Sequence, residues 1–412
     1  MIKKRSDNTR RSLLSALMLR GIALGGRFVF VIFAAKYMLP QDFGRFGLLS
    51  GLTLLIPALV ALEAYQVLLR RILQEPELAP ETRRFYAVFV LAGSVVSATI
   101  GALTLLAFGW STNEVVLGAI VLALEHIGLE TARNLVNERL PSLSVLSVAL
   151  RTGVWGVAIP ALFFIGFIPA PWTFETVLWF WIAGGVGAAL AGTPIWRLFR
   201  PHRHDLHLRR GWGSLNEVIS RSWMWVLYTA SLRSIETGGR FVCAWMISDA
   251  AAGRFTFVSM LASLSYVAQK GVVEPIYYPR LSGLDATEET HREFRRMNWA
   301  VIIGGTVCSI LGLAASAWIT KVAPQRVEIV SFGLLCLAFA CLSLAQPAHY
   351  RLYRSHKDRA IMTTALAGGA SMVLASVVGT WFWGIAGTSG GVFLGALILL
   401  VLKDHAARAL MR

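Results

Sequence analysis

The stretch RGIALGGRFV at positions 20–29 returns later in the chain as RSIETGGRFV at positions 233–242. Seven of the ten residues are identical, and the offset between the copies, 233 − 20 = 213, is about half of the 412 residues. A second echo follows, because Gly44-Arg45-Phe46 is matched by Gly253-Arg254-Phe255. A repeat of this length predicts a chain built from two similar halves.

The composition is that of a membrane protein, with 56% hydrophobic and only 15% charged residues. Apolar runs of about 20 residues are long enough to cross a bilayer as helices. We predict an all-α, polytopic membrane protein with about twelve such helices in two six-helix lobes. The predicted spans are 13–39, 46–69, 85–108, 115–136, 143–167, 174–196, 222–247, 255–279, 297–319, 328–350, 360–382 and 386–402.

The net charge of +16 is explained by topology. Lysine and arginine concentrate in the N-terminal tail and in every second loop, whereas the other loops hold only Arg45, Arg254, Lys321 and Arg326. This positive-inside pattern predicts that both termini are cytoplasmic. The basic excess therefore reflects topology, and a nucleic-acid partner is not expected. Membrane lipids are expected partners of the basic cytoplasmic connection at 197–221.

The organisation predicted from the repeat is an N-terminal lobe (1–200), a basic cytoplasmic linker (201–221) and a C-terminal lobe (222–412). Because six spans separate the two copies, the halves enter the membrane in the same direction, which predicts a parallel repeat about an axis normal to the membrane. The linker contains His202, His204 and His207, for which an exposed basic linker is the favoured interpretation over a metal site. The sequence predicts no metal site, no cofactor and no catalytic residue.

The repeat places four arginines inside predicted spans: Arg20, Arg27, Arg233 and Arg240. An intramembrane arginine costs roughly 2.5–3.5 kcal/mol on insertion scales, so it marks a candidate functional site. Each pair is seven residues apart and shares a helical face. The planar guanidinium binds phosphate oxygens bidentately, which makes an anionic diphosphate a suitable ligand. The alternative is internal pairing, because Glu236 stands close to Arg233 and Arg240 in the second copy, where the first copy has Ala23.

Other ionisable residues lie within or near the spans and are weaker candidates for the cavity or for ion coupling. His126, Glu130 and Arg133 share one face of the fourth span, although a plain Glu130–Arg133 pair explains two of them equally well. The full set of these candidates is Glu63, Glu125, His126, Glu130, Glu236, Lys270 and Glu274.

The segment from Arg20 to Gly47 resembles the polysaccharide (lipid-linked oligosaccharide, Wzx-type) flippases of the multidrug/oligosaccharidyl-lipid/polysaccharide (MOP) exporter superfamily. The similarity lies in an arginine- and glycine-bearing first helix followed by AAKYMLPQDFGRFG at positions 34–47. The chain departs from that pattern with Leu39 before Pro40 and with Phe46 in the aromatic position. The AGRF motif at 252–255 resembles the matching turn of the second half.

The resemblance implies a flippase that moves polyprenyl-diphosphate-linked oligosaccharide from the cytoplasmic to the periplasmic leaflet of a bacterial inner membrane, for surface polysaccharide biosynthesis. It implies alternating access around an arginine-lined cavity, with Arg20, Arg27, Arg233 and Arg240 as candidates to hold the diphosphate. Partners in a polysaccharide polymerase or glycosyltransferase complex would fit such a role. The alternatives are a small-molecule or multidrug exporter of the same fold and a peptidoglycan lipid-precursor flippase. A membrane glycosyltransferase or polymerase is disfavoured, because the short outer loops carry no clustered carboxylates.

Overall fold

The computed structural model describes residues 21, 23, 25–64, 79–137, 140–198, 208–274, 277, 281, 288–320 and 328–410. These residues form α-helices joined by short turns, which confirms the predicted all-α class. In chain order the helices are α1 (25–37), α2 (Pro40–Val60), α3 (Ala79–Ala107), α4 (Thr112–Asn137), α5 (Pro141–Ala149), α6 (Trp155–Phe164), α7 (Phe174–Ala191), α8 (Thr193–Leu198), α9 (Leu208–Met246), α10 (Asp249–Ala262), α11 (Leu264–Ala268), α12 (Glu288–Thr320), α13 (Ile329–Leu344), α14 (Gln346–Arg354) and α15 (Asp358–Ala409).

Within the described part of the chain, eight helical stretches are long and apolar enough to cross a membrane. They are α2, α3, α4, the joined α5 and α6, α7, α12, the joined α13 and α14, and α15. All but the last residue of the predicted span 222–247 lies in the 39-residue α9, which carries Arg233, Glu236 and Arg240. The predicted span 255–279 corresponds to the broken run of α10 and α11 and the residues that follow.

Helix α15 reverses direction at Gly384, so it contains both of the last two predicted spans. Gly384 has φ 57° and ψ −134°, in the positive-φ region that favours glycine. The two arms pack so closely that a Cβ on Gly387 would lie 1.8 Å from the carbonyl oxygen of Gly379. The loop predicted between these spans is therefore a tight turn between two glycine-lined helices.

The chain divides into two compact units. The N unit comprises Met1–Phe30 and Leu52–Val226, and the C unit comprises Val31–Gly51 and Leu227–Arg412. The lobe boundaries expected from the repeat stay predictions. Part of the expected linker, residues 201–207 with all three histidines, lies outside the described residues, and Leu208 begins α9.

The second echo of the repeat forms a reciprocal helix crossing inside the C unit. A Cβ on Gly44 of α2 would lie 1.9 Å from the carbonyl oxygen of Asp249, and one on Gly253 of α10 would lie 2.5 Å from that of Pro40. Each glycine thus faces a carbonyl one helical turn before the other glycine: Gly44 faces that of Asp249, and Gly253 faces that of Pro40. Small residues at such a crossing let two membrane helices pack backbone against backbone. Nearby, the Nε of Arg45 lies 3.5 Å from a carboxylate oxygen of Asp249.

Two helical runs contain a π-helical turn, a feature that often marks functional sites. The first, π1 (Leu150–Val154), joins α5 to α6 in the N unit. The second, π2 (Gln269–Val273), follows α11 in the C unit. Each turn carries a cation at its second position, Arg151 in π1 and Lys270 in π2.

Candidate functional site: two buried ion clusters

The N unit holds a buried carboxylate, Glu125 of α4, that is bound from two other helical segments. Arg151 of π1 donates from Nη1 to Oε2 of Glu125 at 2.9 Å and to its backbone carbonyl at 3.1 Å. Trp181 of α7 donates its indole N–H to Oε1 at 2.8 Å. Both oxygens of this membrane-embedded carboxylate are therefore satisfied by hydrogen-bond donors, one of them charged.

Arg27, a candidate from the repeat, completes this group. It interacts electrostatically with both Glu125 and Arg151. The backbones bring it there, because a Cβ on Gly26 would lie 2.4 Å from the carbonyl oxygen of Gly153 in π1. We call Arg27, Glu125, Arg151 and Trp181 the N cluster; it contains two cations and one carboxylate.

The C unit contains a group with the same balance of charges around Glu236 of α9. Arg233 donates from Nη1 to Oε2 of Glu236 at 2.5 Å, one helical turn away on the same face. Lys270 of π2 and Tyr266 of α11 both donate to Oε1, at 3.0 Å and 2.5 Å. We call Arg233, Glu236, Tyr266 and Lys270 the C cluster; it again contains two cations and one carboxylate.

A further buried cation extends the C cluster. Lys403 of α15 is 1% exposed, and its Nζ lies 3.4 Å from Nδ1 of His349 and 5.0 Å from the ring centre of Tyr228. Lys403 also interacts electrostatically with Lys270. Among the described residues it has no carboxylate partner.

Arg151 of the N cluster is less accessible than the two cations of the C cluster, whereas Arg27 is partly exposed, as they are. The side chain of Arg151 is 12% exposed, whereas those of Arg233 and Lys270 are 28% and 30% exposed. Both carboxylates are buried, at 8% for Glu125 and 7% for Glu236. An anionic ligand can therefore reach the C cluster's cations more readily than Arg151.

A third group in the N unit has the opposite balance. Arg133 lies 2.8 Å from a carboxylate oxygen of Glu130 and 3.6 Å from one of Glu63, so one cation serves two carboxylates. The buried hydroxyl of Tyr86 also contacts Glu130. The simple intrahelical Glu130–Arg133 pair, one of the two interpretations drawn from the sequence, is thus present.

The remaining predicted residues fall elsewhere. Arg240 donates to the carbonyl of Gly47 at 3.2 Å and to the hydroxyl of Ser50 at 3.1 Å, beside the glycine crossing of the C unit. His126 is fully buried, and its Nδ1 lies 3.3 Å from the hydroxyl of Ser97. Glu274 is half-buried and, within the described ranges, makes no ion pair with either cluster. Arg20 lies outside the described residues.

Sequence reasoning missed several members of these groups. Arg151 lies inside a predicted span, so the rule that singled out the repeat arginines would also have found it. Lys403 was missed because it lies one residue beyond the last predicted span. Tyr266, Trp181 and His349 gave no signal, since their roles come from tertiary packing.

Comparison with solved structures shows which fold this is. The chain is similar to an inward-facing multidrug resistance MATE family transporter of the MOP superfamily (13% identity, 95% of this chain and 94% of that chain, TM-score 0.63). It is similar to the lipid II flippase MurJ in an inward closed conformation (11% identity, 96% and 87%, TM-score 0.62). It is also similar to the MATE transporter VcmN of Vibrio cholerae (15% identity, 97% and 98%, TM-score 0.50).

No family model matches the chain, and no curated protein sequence matches it. At identities of 11–15% the structural likeness shows the fold alone, and that fold is the one of MOP superfamily transporters. This confirms the predicted all-α architecture of about twelve helices, and the proteins that share it are transporters and flippases. A shared fold does not fix a substrate, which has to be argued from the clusters.

Proposed function

We propose that the protein is a flippase that moves polyprenyl-diphosphate-linked oligosaccharide across a bacterial inner membrane for surface polysaccharide biosynthesis. The observation that carries the proposal is the C cluster, in which two partly accessible cations share one buried carboxylate. Charged side chains within membrane helices are expensive and face functional pathways. An excess of cations there favours an anionic ligand.

The chemistry of the C cluster fits a diphosphate. Arg233 offers a planar fork of donors for phosphate oxygens, and Lys270 adds a compact charge with three donors. Lys403 lies deeper and has no carboxylate partner among the described residues. The fold itself occurs in a protein named as a lipid II flippase, which supports a lipid-linked substrate.

The membrane potential supplies a driving force for such a substrate. Moving an anion outward from a negative interior is downhill by about 2.3 kcal/mol per charge per 100 mV. A polymerase or glycosyltransferase complex on either side of the membrane would be the natural partner of this activity, and both termini would be cytoplasmic.

A multidrug exporter is the second candidate, favoured by a different observation. The Glu63–Arg133–Glu130 group has two carboxylates for one cation, which suits an organic cation or a coupling ion. The fold also occurs in MATE multidrug transporters. We rank this candidate lower because the clusters that contain repeat arginines are both net positive.

The test uses a strain that lacks the protein and carries either the wild-type chain or a variant. We expect polyprenyl-diphosphate-linked oligosaccharide to accumulate in the deletion strain, with surface polymer lost and restored by the wild type. Arg233→Ala and Lys270→Ala should each slow flipping about tenfold or more, because a charge-assisted hydrogen bond contributes roughly 1.5–3 kcal/mol. Arg27→Ala reports whether the N cluster takes part.

The matched control is Arg254→Ala, which removes a 42% exposed arginine whose ion pair with Glu328 spans 3.9 Å. It should restore surface polymer fully at equal membrane abundance. Unchanged pools of lipid-linked oligosaccharide in the deletion strain, together with altered drug efflux, would replace the flippase proposal with the exporter.

A further inference from the structure

The C unit contains a polar cavity that belongs to neither cluster. It lies where the beginning of α12 meets the first turns of α14 and the end of α15, and it has a volume of about 130 Å³. This is several times the roughly 30 Å³ that one water occupies in the liquid. Its polar lining comprises His291, Arg295, Asn298, Arg351 and Asp404, with Trp299 at its side.

Two buried polar atoms in this lining have no hydrogen-bond partner among the residues that the structure describes. The Nδ1 of His291 and the Oδ1 of Asn298 are both buried without a hydrogen bond, in side chains that are 6% and 1% exposed. Asn298 is held in place by its other amide atom, which donates to the carbonyl of Ser343 at 2.9 Å. Buried polar atoms are nearly always paired, so these two point to a polar ligand.

The cavity lining holds two arginines, Arg295 and Arg351, and one carboxylate, Asp404, so its cations outnumber its anions by one. Arg295 and Arg351 each lie 3.2 Å from the same oxygen of Glu288, which brings the two guanidinium groups to one point. Glu288 is not among the lining residues and is 61% exposed, so solvent weakens these two ion pairs, and a phosphate competes with Glu288 for both arginines. Arg354 also acts electrostatically on His291. Paired arginines of this kind bind phosphate oxygens.

An apolar surface leads away from the cavity. Starting at Trp299, the exposed side chains of α12 include Ile303, Val307 and Ile310, at spacings of four, four and three residues. Residues at this spacing share one helix face. Their exposure, between 49% and 60%, leaves room for an acyl chain beside them. Trp299 at the start of this stripe is typical of a residue at the membrane–water interface.

We propose that this cavity binds the headgroup of an anionic glycerophospholipid, with the phosphate at Arg295, Arg351 and His291. A headgroup hydroxyl donates to Asn298 or Asp404, and an acyl chain lies along the α12 stripe. The predicted topology places this end of the C unit on the cytoplasmic side, where anionic lipids attract basic surfaces. The site is independent of the substrate that the protein moves.

The test is native mass spectrometry of the purified full chain, titrated with phosphatidylglycerol, phosphatidylcholine, glycerol phosphate or inorganic phosphate. We expect the tightest bound lipid to be phosphatidylglycerol, and R295Q/R351Q to weaken its binding at least tenfold. The matched control R254Q should bind phosphatidylglycerol like the wild type, because Arg254 pairs with Glu328, about 24 Å along α13 from the cavity. Unchanged thermal unfolding of R295Q/R351Q in lipid-free detergent would show that the variant is folded.

Three results would overturn the proposal. Equal binding of phosphatidylglycerol and phosphatidylcholine would remove the requirement for an anion. Phosphatidylglycerol binding that survives in R295Q/R351Q would place the lipid elsewhere. Binding of glycerol phosphate or inorganic phosphate as tightly as phosphatidylglycerol would identify a site for a soluble anion.

Discussion

The N cluster and the C cluster are built from the same parts but differ in how they are assembled and how far they are open. Each holds one buried carboxylate between two cations and an aromatic donor, and in each a π-helical turn supplies one cation. The N cluster is nearly closed around Arg151, at 12% exposure, whereas the cations of the C cluster are 28% and 30% exposed. Cations that a ligand cannot reach favour a structural role for their ion pair, whereas partly exposed cations beside a buried carboxylate favour ligand binding.

The source of the carboxylate also differs. Glu236 comes from the repeat helix itself and pairs with Arg233 three residues away. Glu125 comes from another helix and pairs with Arg151, 26 residues further along the chain. In the C unit the ion pair therefore forms between neighbours on one helix, whereas in the N unit it depends on the packing of different helices. This difference leads us to assign substrate binding first to the C cluster.

The largest expected effect is on stability and concerns the N cluster. Glu125→Gln should lower the free energy of unfolding by about 3–5 kcal/mol, because it leaves Arg151 charged and buried without its carboxylate. Glu236→Gln should lower it by less, roughly 1–2 kcal/mol, since solvent reaches the cations of the C cluster and screens them. Thermal unfolding in detergent measures both variants. Glu289→Gln, at an exposed position of α12, is the control and should behave like the wild type.

An equal or reversed order of the two losses would break the comparison. It would mean that the accessibility of Arg233 and Lys270 does not lower the cost of leaving them unpaired. The assignment of substrate binding to the C cluster would then lose its physical basis.

Contacts within one helix could be predicted from the sequence, whereas contacts between helices could not. The helical class, the two halves and the pairing of Arg233 with Glu236 follow from periodicity, repetition and i, i+3 spacing. The electrostatic interaction of Arg27 with Glu125 could not be predicted in this way, because Glu125 lies on another helix. Tyr266 and Trp181 were missed for the same reason, since nothing in their neighbouring residues distinguishes them from membrane aromatics. At Gly384 the sequence predicted a loop between two spans. The sequence alone does not show that glycines allow the two helical arms to pack closely enough for a single residue to make the turn.

A double-mutant cycle sharpens the comparison with a smaller effect. In the N cluster, Glu125→Gln and Arg151→Gln should each destabilise the protein, and the double variant should recover most of that loss. Removing both partners of a buried pair is far less costly than removing one. We expect a coupling energy of up to about 3 kcal/mol there, and about 1 kcal/mol for the matching cycle on Glu236 and Lys270. Thermal unfolding of the six variants gives both values, and similar coupling in the two clusters would contradict the distinction between them.

The smallest expected effect concerns the aromatic donors. Tyr266→Phe removes one hydroxyl that donates to Glu236 at 2.5 Å and leaves the ring in place. A single hydrogen bond contributes about 0.5–1.5 kcal/mol, and we expect the lower end because Arg233 and Lys270 still hold the carboxylate. Flipping should be slowed less than threefold, because the lost hydroxyl contacts only Glu236 and both cations stay in place for the ligand.

Trp181→Phe is the matching experiment in the N cluster and should lower stability somewhat more, since it removes ring volume as well as the N–H. A Tyr266→Phe variant of unchanged stability that nevertheless fails to flip substrate would show that Tyr266 contacts the ligand itself, and the C cluster would then have to be redrawn with Tyr266 among its ligand-binding residues.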